Sequence, residues 1–268
     1  QKIATRAYNA VNEYALGKKG KPRFKGPNQF DSVEGKDNKS GILWRDNKVK
    51  WFGLELEPLI PDDDKVIEYG LHAPLKYLRI VRRKLNGRHR FYVQLINRGR
   101  PYQKEENKLG QGIVGADLGP STMGVVSSNG YAILKQFCAE LQDRQTEITL
   151  LQRQIERQRR ANNPDNYEPD RWVKSKGSGK RWIRKQGQAR KGRLTWHISN
   201  RQRANERRLA ELHRQQAAHR SSLHGALVNE ILRQGHLFKL EKISYQAWQK
   251  MFGRSVQFRA PGKFVAHL

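Results

Sequence analysis

Two carboxylates stand out by the company they keep. Asp117 is the only acid in the stretch QGIVGADLGPSTMGVVSSNGYAIL (111–134), which is otherwise small, apolar or uncharged. Glu241 closes the apolar run HLFKLE (236–241). A charge in a half-buried strand is costly unless it has a partner or a task. One carboxylate on each of two neighbouring strands can share a divalent cation. In a two-metal site, ions ~3.5–4 Å apart activate the attacking water and stabilise the leaving oxygen of a phosphodiester. Mg²⁺ suits such a pair, because it is hard and prefers carboxylate and water oxygens. Gly119, Thr122 and Gly124 add a rim of small residues that would let a phosphate backbone come close. The plainer alternative makes Asp117 a turn cap and Glu241 a surface residue paired with Lys239 or Lys242.

The elements around these acids must bring them together. GIVGADL, TMGVVSS and YAILKQF read as three strands of a meander, with Asn129-Gly130 as a turn. A helical region follows, with Leu141, Ile148, Leu151 and Ile155 on one face, and ANNPDNYEPD breaks it. A second long helix is predicted from about Trp196 to Gln234, with Leu209, Leu212, Leu223, Leu227 and Ile231 as its stripe and Gly235 as its stop. HLFKLEKI is a fourth strand carrying Glu241. Three meandering strands, helices and a further strand is the order of a ribonuclease-H-like fold. In that fold strands one and four pair in parallel.

Ahead of this region, Ile3, Ala7, Ala10, Val11 and Tyr14 mark a helix over residues 2–16. From Phe30 to Ile96 short strands dominate, with turns at RDNK (45–48) and at Asn86-Gly87. They predict a small antiparallel barrel or curled sheet. Residues 98–111 are polar and read as a linker. The expected class is therefore mixed α+β: a small antiparallel β-barrel (OB-like) over 21–110, then a ribonuclease-H-like α/β domain over 111–268. A long, basic, helical insertion spans about 140–235.

Charge is the strongest compositional signal. The 268 residues hold 53 Lys and Arg against 25 Asp and Glu, a net charge of +28 and a pI near 10.5. Nucleic acid is the expected polyanion, because each cation that meets a phosphate releases a condensed counterion. A soluble basic protein without such a partner, or a membrane-surface binder, is the alternative. From Arg144 to Arg220 there are 21 Lys and Arg against 7 Asp and Glu. Arg153, Arg157 and Arg160 follow helical spacing on one face. Lys180, Arg181, Arg184, Lys185, Arg190 and Arg193 belong to the stretch 174–193, which has nine cations and no acid and reads as a loop able to wrap a strand. Trp172, Trp182 and Trp196 sit among these cations and suit either base stacking or helix packing. Lys21, Arg23, Phe24 and Lys25 form a further basic loop with a central aromatic ring.

The single cysteine, Cys138, excludes a disulfide framework and a Cys-based zinc site within these residues, and it suits a reducing, cytoplasmic setting. No apolar run approaches the ~18 residues of a membrane span, and no signal peptide is recognisable. The chain opens at Gln1 and stops at KFVAHL, which reads as the middle of something longer.

GIVGADLGPSTMGVV resembles the first RuvC motif of the TnpB proteins of insertion sequences and of the type V CRISPR effectors related to them. FKLEKISYQAWQKMFGRSVQFRAPGKFVAHL resembles their second motif, an acidic strand end followed by a basic helix. LLQRQIERQRRANNPDNYEPD is similar to a TnpB branch. The likeness covers roughly 112–268 and extends less specifically to GKPRFKG and the strands after it. It implies an RNA-guided, Mg²⁺-dependent DNA endonuclease in which Asp117 and Glu241 are catalytic and metal-binding. It also implies a guide RNA and a double-stranded DNA target as partners, and a nucleoid location when bound to DNA. Residues 21–110 would be the wedge, with Lys21, Arg23, Phe24 and Lys25 at the RNA scaffold or flanking motif. Residues 1–20 would end an upstream recognition element. A third acid and a zinc ribbon would lie in a downstream segment. The alternatives are RNA-guided binding without cleavage, a guide-independent transposase or resolvase, and a structural RNA-binding protein.

Overall fold

In the computed structural model, residues 2–26, 29–175 and 181–268 are described. Packing divides the chain into two compact units, residues 1–105 and 106–268. The boundary falls inside the polar segment 98–111. The class is mixed α+β, as the sequence patterns predict.

The first unit begins with helix α1 (Lys2–Ala15), followed by strands β1 (Ser32–Glu34), β2 (Ile42–Arg45), β3 (Lys48–Trp51) and β4 (Leu54–Leu56). Helix α2 (Lys65–His72) leads to the long strands β5 (Leu75–Leu85) and β6 (Arg88–Asn97). The two predicted turns form as expected. Asp46-Asn47 and Asn86-Gly87 all adopt positive φ, the conformation that a two-residue hairpin turn needs to match strand twist. The strands divide into two antiparallel three-stranded sheets, β1-β5-β6 and β2-β3-β4. Ile42, Val49, Leu78 and Ile80 form their common core, with Trp44, Trp51, Val93 and Leu95 packed against it. Buried Glu34 on β1 receives Arg79 at 2.8 Å and Arg6 of α1 at 2.7 Å. The predicted stripe of α1 is left without buried residues.

The second unit holds strands β7 (Ile113–Leu118), β8 (Thr122–Ser127) and β9 (Ala132–Gln136), then helix α3 (Gln145–Asn162). Strands β10 (Arg171–Lys174) and β11 (Trp182–Lys185) come next, then α4 (Asn200–Leu232), β12 (Leu237–Leu240), α5 (Tyr245–Arg259) and α6 (Pro261–His267). The main sheet has the order β12-β7-β8-β9. Strands β7, β8 and β9 form the antiparallel meander, and β12 pairs with β7 in parallel. Their junction is tight: a Cβ on Gly235 would lie 2.7 Å from the Gly112 carbonyl oxygen, and Gly112 itself has φ +110°. Val114, Leu118, Met123 and Val125 project from one sheet face onto Leu227, Val228 and Ile231 of α4, Phe137 and Phe264 of α6.

The insertion departs from the sequence reading in three places. Helix α4 starts at Asn200 rather than near Trp196, because the Ser199 hydroxyl caps it by accepting from the Gln202 amide at 3.2 Å. Helix α3 starts at Gln145, and Leu141 is buried in the turn before it. The basic stretch expected to be a loop contains an antiparallel ribbon, β10–β11. Among the described residues no helix is long and apolar enough to cross a membrane.

Candidate active site and basic insertion

Strand alternation sorts the residues of β7. Val114, Ala116 and Leu118 turn to the core, so Ile113, Gly115 and Asp117 turn to the opposite face. Strand β12 behaves alike: Phe238 and Leu240 pack on the core, while Leu237 and Lys239 are exposed. The parallel register pairs Leu237 with Ile113 and runs to Leu240 beside Ala116. Continued by one residue, that register would set Glu241 beside Asp117. Neighbouring strands lie ~4.8 Å apart, so two such side chains can reach one ion. Glu241 directly follows the end of β12 rather than lying within it.

Both carboxylates are exposed, and neither has a hydrogen bond or ion pair among the described residues. The pairing of Glu241 with Lys239 or Lys242, the plainer alternative, is not formed. On the other side of Asp117 the register brings Gly124 of β8, where an added Cβ would meet nothing within 4 Å. The space flanking Asp117 is therefore open. Gly119 lies in the tight β7–β8 turn, where a Cβ would lie 3.1 Å from the Thr122 hydroxyl.

The loop after Asp117 is pinned by residues with no recognisable motif. The Ser255 hydroxyl of α5 donates to the Pro120 carbonyl at 2.9 Å. Arg259 donates to the Phe137 carbonyl at 3.1 Å and to Ser255 Oγ at 3.1 Å. No spacing in the sequence singles out these two side chains, because their partners are backbone groups more than a hundred residues away.

Two hard carboxylate oxygen sets suit Mg²⁺ or Mn²⁺ and would leave most of the coordination to water and substrate. Among the described residues no cluster of three or more His, Cys, Asp or Glu is placed to hold a metal.

The predicted cationic residues separate into two groups. Arg160 is held internally: it donates to Glu156 at 2.8 Å and to the Gly187 carbonyl at 2.9 Å, and it covers the Tyr167 ring at 4.2 Å. Arg184 is paired with Asp170 at 2.9 Å, and Arg190 reaches the Tyr167 carbonyl at 3.3 Å. Arg153, Arg157, Arg181, Lys185 and Arg193 are exposed. In the first unit Lys21, Arg23 and Lys25 are exposed and Phe24 is 83% exposed. Lys180 lies outside the described residues. Of the three tryptophans, Trp196 is a packing residue, with Arg159 stacked 3.9 Å above its ring and Tyr167 at its edge. Trp172 and Trp182 stay 64% and 58% exposed. No protein-family model matches the chain, and no curated protein sequence matches it.

Proposed function

We propose that the chain is an RNA-guided DNA endonuclease of the TnpB type. On this reading the second unit is a ribonuclease-H-like (RuvC) nuclease, and the two sheets of the first unit are a wedge-like, OB-type module. The observation that carries it is that exposed Asp117 lies on β7 and exposed Glu241 directly follows β12, the strand that pairs with β7 in parallel. In a chain of net charge +28, two exposed acids without an ion pair near the ends of neighbouring strands suit a cation that both would hold.

Bound Mg²⁺ supplies the positive charge that activates water and stabilises the leaving oxygen. Asp117 and Glu241 hold and orient that charge at the strand ends. Gly124 keeps the flank of Asp117 open to a phosphodiester. Ser255, itself hydrogen-bonded by Arg259, fixes the Pro120 carbonyl of the loop after Asp117. The exposed cations of the insertion neutralise the backbones of guide RNA and target DNA, which are gripped by shape and charge while base pairing supplies sequence.

The test starts from the RNA that copurifies with the expressed chain. That RNA is sequenced, and plasmids carrying the matching sequence beside randomised flanks are incubated with the complex and Mg²⁺. Cutting that requires Mg²⁺ and ends with Asp117→Ala supports the reading; an Asp117→Ala protein that still cuts refutes the assigned site. The competing outcome is RNA-guided binding without cleavage. It predicts guide-dependent retention of the plasmid with no strand break.

A further inference from the structure

The β10–β11 ribbon pairs Trp172 with Arg184 and Lys174 with Trp182. Residues directly opposite share a face, and so do residues two apart along a strand. One face therefore carries Trp172, Arg184, Lys174 and Trp182 as a two-by-two checkerboard of indoles and cations. All four side chains are exposed, and Lys174 Nζ sits 5.5 Å over the Trp182 ring. The stretch 171–185 holds seven Lys and Arg and no acid.

The ribbon stands on a rigid footing. At its base Asp170 accepts from the Gly187 amide at 2.8 Å and from Arg184 at 2.9 Å. Gly187 is packed so closely that a Cβ would fall 1.7 Å from the Glu168 carbonyl oxygen. The Glu168 amide donates to Gln188, the Arg190 amide donates to Asn166, and Tyr167 bridges to Ala189. Below this lies the Arg159–Trp196–Tyr167 stack. An uncovered two-stranded ribbon is marginal in water, and two large indoles left bare on it contribute little to its own fold.

We infer that this face binds single-stranded nucleic acid, stacking unpaired bases on Trp172 and Trp182 while the cations meet the flanking phosphates. The two tryptophans are diagonal neighbours, ~7–8 Å apart in sheet geometry. That is about twice the ~3.4 Å separation of stacked bases, room for one base between two rings. Stacking is blind to base identity, because every base has a π-face. Bases inside a duplex are already stacked on each other and offer no free face. An anionic membrane is disfavoured by the pattern itself: membrane-binding surfaces segregate aromatic from charged residues. Here each indole has a cation directly across from it, so no apolar edge can insert without burying charge.

The inference rests on the nucleic-acid contact proposed above but not on cleavage. The test measures binding of the whole chain to labelled oligo-dT, oligo-U, a duplex of equal length and anionic phosphatidylserine vesicles. Each stacked base contributes about tenfold or more. The Trp172→Ala/Trp182→Ala protein should therefore lose roughly 100-fold for the single strands and little for the duplex. Its salt dependence should be unchanged, because no phosphate contact is removed. Trp172→Phe/Trp182→Phe, which keeps two rings on the same backbone, should retain most of the affinity. The oligo-dT and oligo-U arms report whether a DNA strand or an RNA is preferred. Unchanged single-strand binding by the alanine variant overturns the inference, as does equal loss on the duplex or tighter binding to vesicles. A wild-type chain that holds oligonucleotides but never cuts refutes the nuclease reading alone. One that cuts while the alanine variant binds normally refutes the ribbon alone.

Discussion

The two faces of the β12-β7-β8-β9 sheet share every backbone hydrogen bond and differ in almost everything else. Toward α4 and α6 the sheet shows Val114, Leu118, Met123 and Val125, sealed against Ile231, Phe137 and Phe264. Away from them it shows Asp117 and Gly124, among exposed Ile113, Val126, Leu134 and Leu237, with exposed Glu241 just past the end of β12. Because side chains alternate with period two, consecutive residues such as Asp117 and Leu118 serve opposite purposes. On the proposed reading, stability and chemistry are thereby separated at single-residue spacing. Substitution on one face should leave the property of the other intact.

The largest expected effect is on the open face. Asp117→Ala or Glu241→Gln should lower guide-dependent DNA cleavage by roughly 10³-fold or more, the scale of losing a group that acts in the transition state. The same proteins should melt within about 2 °C of wild type, because exposed, unpaired side chains contribute within about 0.5 kcal/mol. Plasmid nicking and circular dichroism melts on the same samples check both halves. A melting temperature that falls as far as that of a core variant would break the comparison.

The core face should respond in the opposite sense. Ile231 is fully buried between α4 and the sheet. Ile231→Ala should cost about 2–5 kcal/mol, from lost transfer energy plus the cavity left behind. For a unit of this size that is a fall of roughly 10 °C in melting temperature. Cleavage per folded molecule, measured well below the transition, should stay near wild type.

How much of this was legible in the sequence follows from the range of the interactions. The strands of the meander follow from local apolar patterns, whereas the parallel pairing of β12 with β7 was expected only from the order of elements in a ribonuclease-H-like fold. The turns at Asp46-Asn47 and Asn86-Gly87 were equally legible, because positive φ restricts residue choice on the spot. Helix starts were less so: the apolar stripe leads back to Trp196, but the Ser199 cap decides where α4 begins. The β10–β11 ribbon escaped because its Lys, Arg and Gly content reads as a loop, and its footing is fixed by Asp170 and Gly187. Arg160 looks the same in sequence as Arg157; only the fold brings it to Glu156, Tyr167 and Gly187. Ser255 and Arg259 act on backbone carbonyls of distant segments, which no residue pattern encodes.

Gly124 sharpens the comparison further. It lies beside Asp117 with open space where a side chain would stand. Gly124→Val should therefore be neutral or stabilising by about 0.5–1 kcal/mol, since a strand glycine carries excess unfolded-state entropy. The same methyl groups would crowd the approach to Asp117. Cleavage should fall by roughly 10- to 100-fold, the scale of a ~1 Å displacement of reacting atoms. A variant both as stable and as active as wild type would mean that substrate does not come in over Gly124.

The smallest effect concerns a buried histidine on the core side. His224 of α4 is 2% exposed, with its Nε2 2.9 Å from the Arg259 carbonyl and its ring edge-on to Phe137 and Phe264. The carbonyl only accepts, so Nε2 carries the proton and donates. Burial holds the imidazole below its ordinary value of 6.5, and nearby Arg220 adds to the effect. In the unfolded chain His224 titrates near 6.5, so over the window below that value the unfolded state binds more protons. The stabilisation is complete above pH 6.5 and is lost as pH falls through the lower, folded value. Asp143, held below its ordinary range mainly by the Gln145 amide and then by Arg254, keeps its contribution until more acid conditions. Glu230 is also lowered: burial opposes this, but Lys135 and Tyr131 outweigh it. Between pH 7 and 5 the melting temperature of wild type should therefore drop more than that of His224→Gln, which keeps an amide donor and cannot be charged. Parallel curves for the two proteins would show that His224 does not contribute to the pH dependence of stability in that range.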